Sequence, residues 1–426
     1  KGKSNYDCAL FPEFEVDTAP CSYIGKQKVE CLANKCCTFY NKRDEALTSQ
    51  FSSLSYSKFL TMEDHTKRRQ YLVLDEASEL ESELVKEFTF ALPHKELRKK
   101  GIIFKHSVNK AKLFESLFEC YGELKNYLDD VKRLINKKKD IYTNKSNLVR
   151  EYKKLNKVAI GLKTLISTYR ESKYIVERDS LETTFTPLKV DVLSKHIFDH
   201  AEKVVLLSAT IVGVKSFAKS LGISEDNFDY INIESNFDPK KSPILVYKDT
   251  PLNAKNLNST LPTLVNRIEG LLEQHPNEKG IIHTQSNIIT EYIRDFIGEK
   301  YSKRMLFREP GIKNETILKM HSESKEPTVL VSPSMTYGVD LKDDLGRFQV
   351  IVKLPYLPWR DKRAEMIRKI DEKWYTYKML SNLIQACGRT TRGEDDHSVT
   401  YIMDSNFLRI LDIYSEDIPS YFLKRL

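Results

Sequence analysis

The chain has 426 residues, of which 40% are hydrophobic and 30% are charged, and its formal net charge is +8 at pH 7. This composition is typical of a soluble globular protein of about two or three domains, and it permits a polyanionic partner without requiring one. No run of roughly 18 to 20 apolar residues indicates a membrane span, and the N-terminus has no signal-peptide core. We therefore expect a cytoplasmic protein without a membrane partner.

Cysteines are concentrated at the start of the chain. Five of the seven, Cys8, Cys21, Cys31, Cys36 and Cys37, lie within the first 37 residues. In a reducing compartment such a cluster indicates a metal site before it indicates disulfides. The surrounding residues have no convincing helical or strand period, which favours a loop-rich module held by a metal.

The segment from Tyr71 to Ser78 joins a short apolar run to two adjacent carboxylates, Asp75 and Glu76. The run that ends at Leu74 predicts a buried strand of a parallel sheet. Because ligands of open α/β sheets bind at the carboxyl ends of such strands, the acidic pair is expected in a binding crevice. There Asp75 can hold Mg²⁺ on a nucleoside triphosphate, and Glu76 can activate the attacking water. The alternative is an acidic pair that merely begins a helix.

Two long amphipathic helices are predicted between residues 81 and 180. Apolar residues recur at steps of three and four from Leu113 to Ile135 and again from Leu148 to Tyr169, which predicts a helical hairpin. Residues 95–163 hold 19 Lys and Arg against 8 Asp and Glu, a net charge of +11. These helices either have an ordinary solvated face or lie along a nucleic-acid backbone.

Strands and helices alternate after Pro187. Residues 203–210 predict a buried strand that ends in Ser208 and Thr210, and residues 236–243 are typical of a linker. Beyond the linker the alternation predicts a second parallel-sheet domain. Its strands are predicted at 244–247, 280–283, 329–331 and 350–352, and its helices at 261–274 and 288–297.

The segment from Gln385 to Arg392 has the sequence QACGRTTR. A continuous helix through it places Gln385, Arg389 and Arg392 along one face. Two guanidiniums presented together suit a γ-phosphate whose charge spreads in the transition state. An Arg pair alone is more often part of a solvated face, so the other motifs decide between the two interpretations.

Four segments follow one another in a meaningful order: DEAS at 75–78, LSAT at 207–210, VSPSMTYGVDL at 331–341 and QACGRTTR at 385–392. In that order they resemble the motifs of superfamily 2 helicases, and within them the XPD- and DinG-like iron–sulfur DNA helicases. The resemblance covers almost the whole chain. It implies an α/β fold of two RecA-like parallel-sheet lobes, with a cysteine-rich iron–sulfur module and a helical arch inserted in the first lobe.

The resemblance implies a hydrolytic role for two pairs of residues. Asp75 and Glu76 match the acidic pair that binds Mg²⁺ and activates water, and Ser78 stands where this family commonly has a His. Arg389 and Arg392 match the arginines that stabilise the transferring phosphoryl group.

The remaining motif residues line the same cleft in the family. Ser208 and Thr210 match motif III, which links the nucleotide site to movement of the lobes. Gly338 and Asp340 match motif V, on the ribose–phosphate side of the cleft, and Gln385 matches the residue of motif VI that orients nearby polar groups.

The cysteines fit the iron–sulfur module of this family. Its [4Fe–4S] cluster would take four thiolates, from Cys8, Cys21, Cys31 and either Cys36 or Cys37. Cys36 is preferred, because Cys37 then faces the local core of residues 38–40. Zinc is less favoured, since the spacing is not that of a zinc ribbon and no His lies nearby. Reduced cysteines packed in a small core are the remaining alternative.

Motif I, the phosphate-binding P-loop, does not occur in these 426 residues. The segment Gly2-Lys3-Ser4 is not followed by a helical pattern and is not interpreted as its end. We expect the motif upstream of Lys1, in a longer protein of which this chain is a fragment. A partner that supplies the motif, or an inactive motor retained for binding, are the alternatives. Residues 283–286 are only a loose match to motif IV.

The resemblance also implies a domain plan and an activity. Residues 1–80 and 181–238 form part of the first lobe around a cysteine-rich module at 8–37, residues 81–180 form the arch, and residues 239–426 form the second lobe. The implied activity is that of an ATP-dependent helicase that uses Mg²⁺, moves 5′ to 3′ on single-stranded DNA and unwinds forked duplexes. Its location is the DNA, beside other replication or repair proteins. The alternative function is an inactive, metal-stabilised scaffold that binds nucleic acid.

Overall fold

The computed structural model describes residues 37–62, 68–137, 142–169, 173–253, 255–308, 311–312, 314–333, 341–358, 361–391 and 393–426. The chain divides into two compact units, one of residues 1–73 with 80–205 and the other of residues 74–79 with 206–426. Among the described helices, none is both long enough and apolar enough to cross a membrane.

The first unit combines helices with short strands. Its elements in chain order are α1 (Thr38–Thr48), α2 (Tyr56–Leu60), β1 (Arg69–Leu74), α3 (Leu80–Phe88), β2 (Phe90–Leu92), α4 (His94–Arg98), α5 (Lys110–Lys137), α6 (Tyr142–Tyr169), β3 (Tyr174–Arg178), β4 (Thr183–Pro187), α7 (Lys195–Phe198) and β5 (Ala201–Leu206). The last residue of β1 and of β5 belongs to the second unit.

The second unit alternates strands with helices. Its elements are α8 (Val214–Ser220), β6 (Ile244–Val246), α9 (Leu257–Gln274), β7 (Gly280–His283), α10 (Asn287–Phe296), α11 (Glu299–Ser302), β8 (Met305–Phe307), α12 (Asn314–Glu323), β9 (Val329–Ser332), β10 (Phe348–Ile351), α13 (Lys362–Ile370), α14 (Glu372–Cys387), β11 (Val399–Ile402), α15 (Asn406–Tyr414) and α16 (Ser420–Leu423).

The two predicted long helices are confirmed as α5 and α6, each of 28 residues. Their apolar stripes form one core, because residues at steps of three and four along each helix point to the same side. Leu117 and Leu124 of α5 and Leu162 of α6 are fully buried in that core. The hydrophobic period of the sequence was therefore sufficient to locate this hairpin.

A three-stranded antiparallel sheet beside the helices was not predicted. Its strand order is β2-β4-β3, with Phe90 opposite Phe185. Phe185 is buried in the same core as the helical hairpin. A Cβ built on Gly161 of α6 would lie 2.6 Å from the ring of Phe90, so only glycine allows the helix to approach this strand. The strands are too short to show a clear alternation in the sequence.

The strand predicted before the acidic pair is present as β1, but the prediction that it is buried was wrong. Among the strands that the structure describes, β1 pairs with β5 only, in a two-stranded sheet. Tyr71 and Val73 are 63% and 58% exposed, and only Leu74 of β1 is buried. The strand predicted at 203–210 is likewise exposed at Val205. The reason is that a two-stranded sheet has too few neighbours among the described residues to cover both of its faces.

The second unit contains a six-stranded sheet with the order β6-β11-β10-β7-β9-β8. All five neighbouring pairs are parallel. This confirms the predicted second parallel-sheet domain, to which the structure adds β8 and β11. Neither was predicted, because each is a run of only three or four residues without a distinctive pattern.

Helices cover both faces of this sheet because successive side chains of a strand point to opposite faces. Val350 of β10 packs in one core with α9 and α10, whereas the next residue, Ile351, packs in another core with α14 and α15. In β11, Tyr401 and Ile402 divide in the same way. The result is an α/β arrangement with an apolar core on each face of the sheet.

We expect the helical hairpin to be sensitive to loss of volume at Leu124. Leu124→Ala leaves a cavity at a fully buried position of α5, and it should lower the free energy of unfolding by about 2–5 kcal/mol. Leu134→Ala on the same helix, where the side chain is 50% exposed, should cost less than about 1 kcal/mol. Denaturant unfolding followed by circular dichroism measures both. Equal losses in the two variants would contradict the described packing.

Candidate active site

The acidic pair lies in a turn directly after β1. The Asp75 carboxylate accepts the backbone N–H of Glu76 at 2.9 Å, and the Glu79 N–H donates to the Glu76 carbonyl at 2.9 Å. Glu76 has φ = 51°, in the left-handed region that residues other than glycine rarely adopt. Both carboxylates are exposed, so this turn presents two adjacent acidic side chains to solvent.

A cluster of buried hydroxyl groups lies next to this turn. Ser208 and Thr210 each donate to the Ser78 hydroxyl at 3.0 Å, and their own hydroxyl oxygens are 3.3 Å apart. Backbone bonds hold the two segments together, because the N–H of Ala77 donates to Leu207 at 2.8 Å. The predicted site residues Ser208 and Thr210 are therefore adjacent to the acidic turn.

Helix α14 contacts the same cluster through two side chains that sequence reasoning missed. The Lys378 ammonium donates to the Ser78 carbonyl at 3.0 Å, and the Ser381 hydroxyl donates to Thr210 at 3.4 Å. Gln385 lies one turn further along the same face, since steps of three, four and seven share a side of a helix. These polar positions on a largely buried helix are the signal that could have identified Lys378 and Ser381.

The prediction that a helix continues through the arginines was wrong. Helix α14 ends at Cys387 with Gly388 as its cap, and Arg389 lies beyond the helix. The Cys387 carbonyl is bonded by the side chains of Gln349 and Arg425, both at 3.2 Å, which satisfies a terminal carbonyl that a longer helix would otherwise use. The Arg389 carbonyl accepts the N–H of Leu341 at 3.3 Å.

His283, from the segment loosely resembling motif IV, lies at the carboxyl end of β7. Its side chain is 1% exposed, and neither ring nitrogen has a hydrogen-bond partner among the residues that the structure describes. Burial, followed by the nearby charge of Arg389, lowers the pKa of His283 from 6.5 to about 4. The imidazole is therefore neutral at physiological pH and lies within the electrostatic influence of one predicted catalytic arginine.

Several predicted site residues lie outside the described part of the chain: Cys8, Cys21, Cys31, Cys36, Gly338, Asp340 and Arg392. Cys37 is described, and it is a buried free thiol just before α1. That position is the one expected of it, although the choice between Cys36 and Cys37 as a cluster ligand stays a prediction. Within the ranges described, no group of three or more His, Cys, Asp or Glu side chains forms a metal site.

The donors of the acidic turn fit Mg²⁺ bound together with phosphates. Mg²⁺ is held in such sites by one or two carboxylates, while water and phosphate oxygens complete its shell. Asp75 and Glu76 supply carboxylate oxygens at an exposed turn, and the neighbouring hydroxyls add further polar groups. The ligands predicted for the iron–sulfur cluster fall outside the described residues, apart from Cys37.

Comparisons with known proteins find similarity to helicases. Residues 268–425 match the protein family described as "Helicase C-terminal domain". The ATP-dependent DNA helicase CHL1 of Scheffersomyces stipitis is 22% identical over 307 residues, which are 59% of this chain and 35% of that protein. The chain thus spans about a third of the length of this curated relative.

Solved structures of XPD share the fold. One XPD helicase aligns with 97% of this chain and 83% of its own, with a TM-score of 0.59 and 16% identity. An apo XPD structure aligns with 86% of this chain and 78% of its own, with a TM-score of 0.51 and 15% identity. The chain is therefore similar to XPD in fold, and its residues 268–425 match the helicase C-terminal domain. The RecA-like α/β fold expected from that family is confirmed.

We expect His283 to make stability depend on pH. Its folded pKa of about 4 lies below the ordinary 6.5, so between these values the unfolded chain binds a proton that the folded chain does not. Stability should therefore fall as the pH drops from 7 toward 4, by about 3 kcal/mol for this residue. In His283→Leu this component should be missing.

Urea unfolding of wild type and His283→Leu at pH 7 and at pH 4.5 measures the effect. His106→Leu is the matched control, because His106 is exposed and its removal should leave the pH dependence of wild type unchanged. The same pH dependence in His283→Leu as in wild type would contradict the assignment.

Proposed function

We propose that this chain is the motor part of an ATP-dependent DNA helicase that moves along single-stranded DNA and unwinds duplexes. The observation that supports this most is the acidic turn of Asp75 and Glu76, which is bonded to the hydroxyls of motif III and to helix α14 within one unit. A scaffold needs no such connection between an exposed acidic pair and the helix that leads to Arg389. Movement from 5′ to 3′ and the division into two lobes at 1–80 with 181–238 and at 239–426 rest on the family resemblance. That division assigns the acidic turn and α14 to different lobes, although they lie in one compact unit.

The chain's own residues divide the work of hydrolysis in this proposal. Asp75 would hold Mg²⁺, which supplies charge neutralisation at the phosphates when it is bound. Glu76 accepts a proton from the attacking water and orients it, because its carboxylate lies next to Asp75 in the turn. Arg389 and Arg392 offer guanidiniums to the phosphoryl oxygens, and Gln385 orients polar groups beside them.

The remaining expectations belong to the same proposal. Gly338 and Asp340 would contact the ribose–phosphate side of the nucleotide. A [4Fe–4S] cluster on Cys8, Cys21, Cys31 and Cys36 would hold the N-terminal module together, and a helicase of this kind acts at DNA in replication or repair.

The helical hairpin carries a basic strip that suits the DNA backbone. Arg150, Lys153, Lys154 and Lys157 recur at steps of three and four on the exposed side of α6. Acidic residues near them are used elsewhere, since Glu151 accepts the Tyr127 hydroxyl at 2.6 Å and pairs with Lys100. Lys154 is paired with Glu96, so Arg150 and Lys157 are the more suitable pair to test.

ATP hydrolysis with and without single-stranded DNA tests the function as a whole. It is measured on this chain and on a chain extended upstream in its own reading frame. Turnover that DNA stimulates, in either form, supports the helicase. DNA binding without turnover in both forms would favour the scaffold and remove the roles assigned to Arg389 and Arg392.

We expect Glu76→Gln to abolish turnover while DNA binding is retained. The amide keeps the shape of the side chain but cannot accept the proton of the attacking water, so the rate should fall by roughly a hundredfold or more. The control is Glu79→Gln, which neutralises the next acid of the same segment and should leave turnover within about twofold. Substantial turnover in the Glu76 variant would defeat the assignment.

We expect the basic strip to contribute to the salt dependence of DNA binding. In Arg150→Gln/Lys157→Gln, two phosphate contacts are lost, so the slope of log K against log salt should decrease by about 1 to 2. Lys303→Gln/Lys325→Gln lowers the net charge equally at exposed positions outside the hairpin, and it should change the slope less. Fluorescence anisotropy with a single-stranded oligonucleotide measures both. Equal changes would indicate a general effect of charge and not a binding strip.

A further inference from the structure

We propose that Lys378 is a positioning residue for the acidic turn, and that Ser381 acts with it. Through these two side chains, the location of helix α14 determines how Asp75 and Glu76 are presented. The inference deepens the proposed function and rests on it for its catalytic consequence, but its structural part can be tested separately.

The acidic turn needs support from its surroundings. Glu76 is held at φ = 51°, a region that is energetically unfavourable for residues other than glycine. Such a conformation persists only when neighbouring groups determine it. The bonds inside the turn are local, from the Asp75 carboxylate to the Glu76 N–H and from the Glu79 N–H to the Glu76 carbonyl. Lys378 is 300 residues from Ser78 in sequence and Ser381 is 171 residues from Thr210, so their contacts can fix the turn relative to the rest of the unit.

The hydrogen bonds between α14 and the turn run in one direction. Ser381 donates to Thr210, and Thr210 in turn donates to Ser78, whose carbonyl accepts the Lys378 ammonium. Ser78, Thr210 and Ser381 are each less than a tenth exposed. In a chain of hydrogen bonds each bond polarises the next, and exclusion of water strengthens all of them. The bond from Lys378 is charge-assisted, so it is the strongest single link of the set.

Helix α14 is itself held firmly enough to serve as the reference. The Asp371 carboxylate caps its first turn by accepting the Trp374 N–H at 3.1 Å. Tyr377 donates to Asp417 at 2.7 Å, and its ring occupies the space where a side chain on Gly213 would lie. Gly213 also has φ = 60°, so a larger residue is excluded there both by space and by conformation. These contacts hold the helix before Lys378, and the bonds from Gln349 and Arg425 to the Cys387 carbonyl hold it after Lys378.

The first measurement is amide hydrogen exchange of Ala77 and Glu79 in Lys378→Met. Methionine keeps the aliphatic stem but removes the donor, so the turn should open more often and exchange about tenfold faster or more. Lys378→Arg, which retains a cationic donor, should restore most of the protection. Lys373→Met is the matched control, because Lys373 is an exposed residue of the same helix and should leave these amides unchanged.

The second measurement is steady-state ATP hydrolysis by the form of the protein that turns over. In Lys378→Met, kcat should fall about tenfold while KM for ATP changes less, because the misplaced acid acts on water in the transition state. Ser381→Ala should have a smaller effect in the same direction, and the two changes should not be additive, since they support one turn.

The outcomes separate the inference from the proposed function. Faster exchange together with a lower kcat supports the inference. Unchanged exchange in Lys378→Met overturns it, even if kcat falls. If exchange responds while wild type hydrolyses no ATP in any form, the positioning role stands and the proposed function fails. Normal kcat despite faster exchange would show that the position of the turn does not govern hydrolysis, and would overturn the catalytic part.

Discussion

A parallel sheet covered by helices on both faces leaves almost no room for polar side chains along its strands. In the second unit β7, β9 and β10 are buried at every position, so polar groups there must be bonded or lie at the ends of the strands. Gln349 is a polar residue within β10, and its buried amide donates to Thr400 and to the Cys387 carbonyl. Together with Arg425, this interior amide bonds the last carbonyl of α14, where the loop with Arg389 begins.

Burial of the strands on both faces of the sheet also explains why the His283 imidazole is neutral. At the carboxyl end of β7 its imidazole is buried without a described partner, and a charged ring there would have to be desolvated beside the Arg389 guanidinium. Neutrality avoids that cost. A neutral imidazole adds no second positive charge beside the arginine, whereas a carboxylate at this position would form an ion pair with it.

The sequence was informative where a pattern is long or where chemistry is concentrated in a few letters. The stripe from Leu113 through Leu124 located α5, and the step from Leu74 to Asp75 located the end of β1. Burial of β1 was overestimated because a run of apolar residues reports what a strand could bury, and not how many neighbours it has. The end of α14 was missed because Gly388 alone does not reveal that Gln349 and Arg425, distant in sequence, bond to the last turn.

The contacts of Ser78 are a further example of information that only the fold contains. From the sequence, the resemblance indicates only that Ser78 stands where the family commonly has a His. In the structure the hydroxyl accepts from Ser208 and Thr210 and the carbonyl accepts from Lys378, so the position is connected on two sides. Ser78 is buried, and both hydroxyl donors approach its small side chain to 3.0 Å.

Replacing an imidazole by a hydroxyl also changes how the connection responds to pH. A His near its ordinary pKa would gain a charge between pH 5 and pH 8 and would then repel the Lys378 ammonium. The hydroxyls of Ser78, Ser208, Thr210 and Ser381 do not ionise in that range, so the directional chain from α14 is the same throughout it. The coupling between the acidic turn and the helix is therefore built from hydroxyl donors and the Lys378 ammonium, and the geometry of α14 is the variable that can alter it.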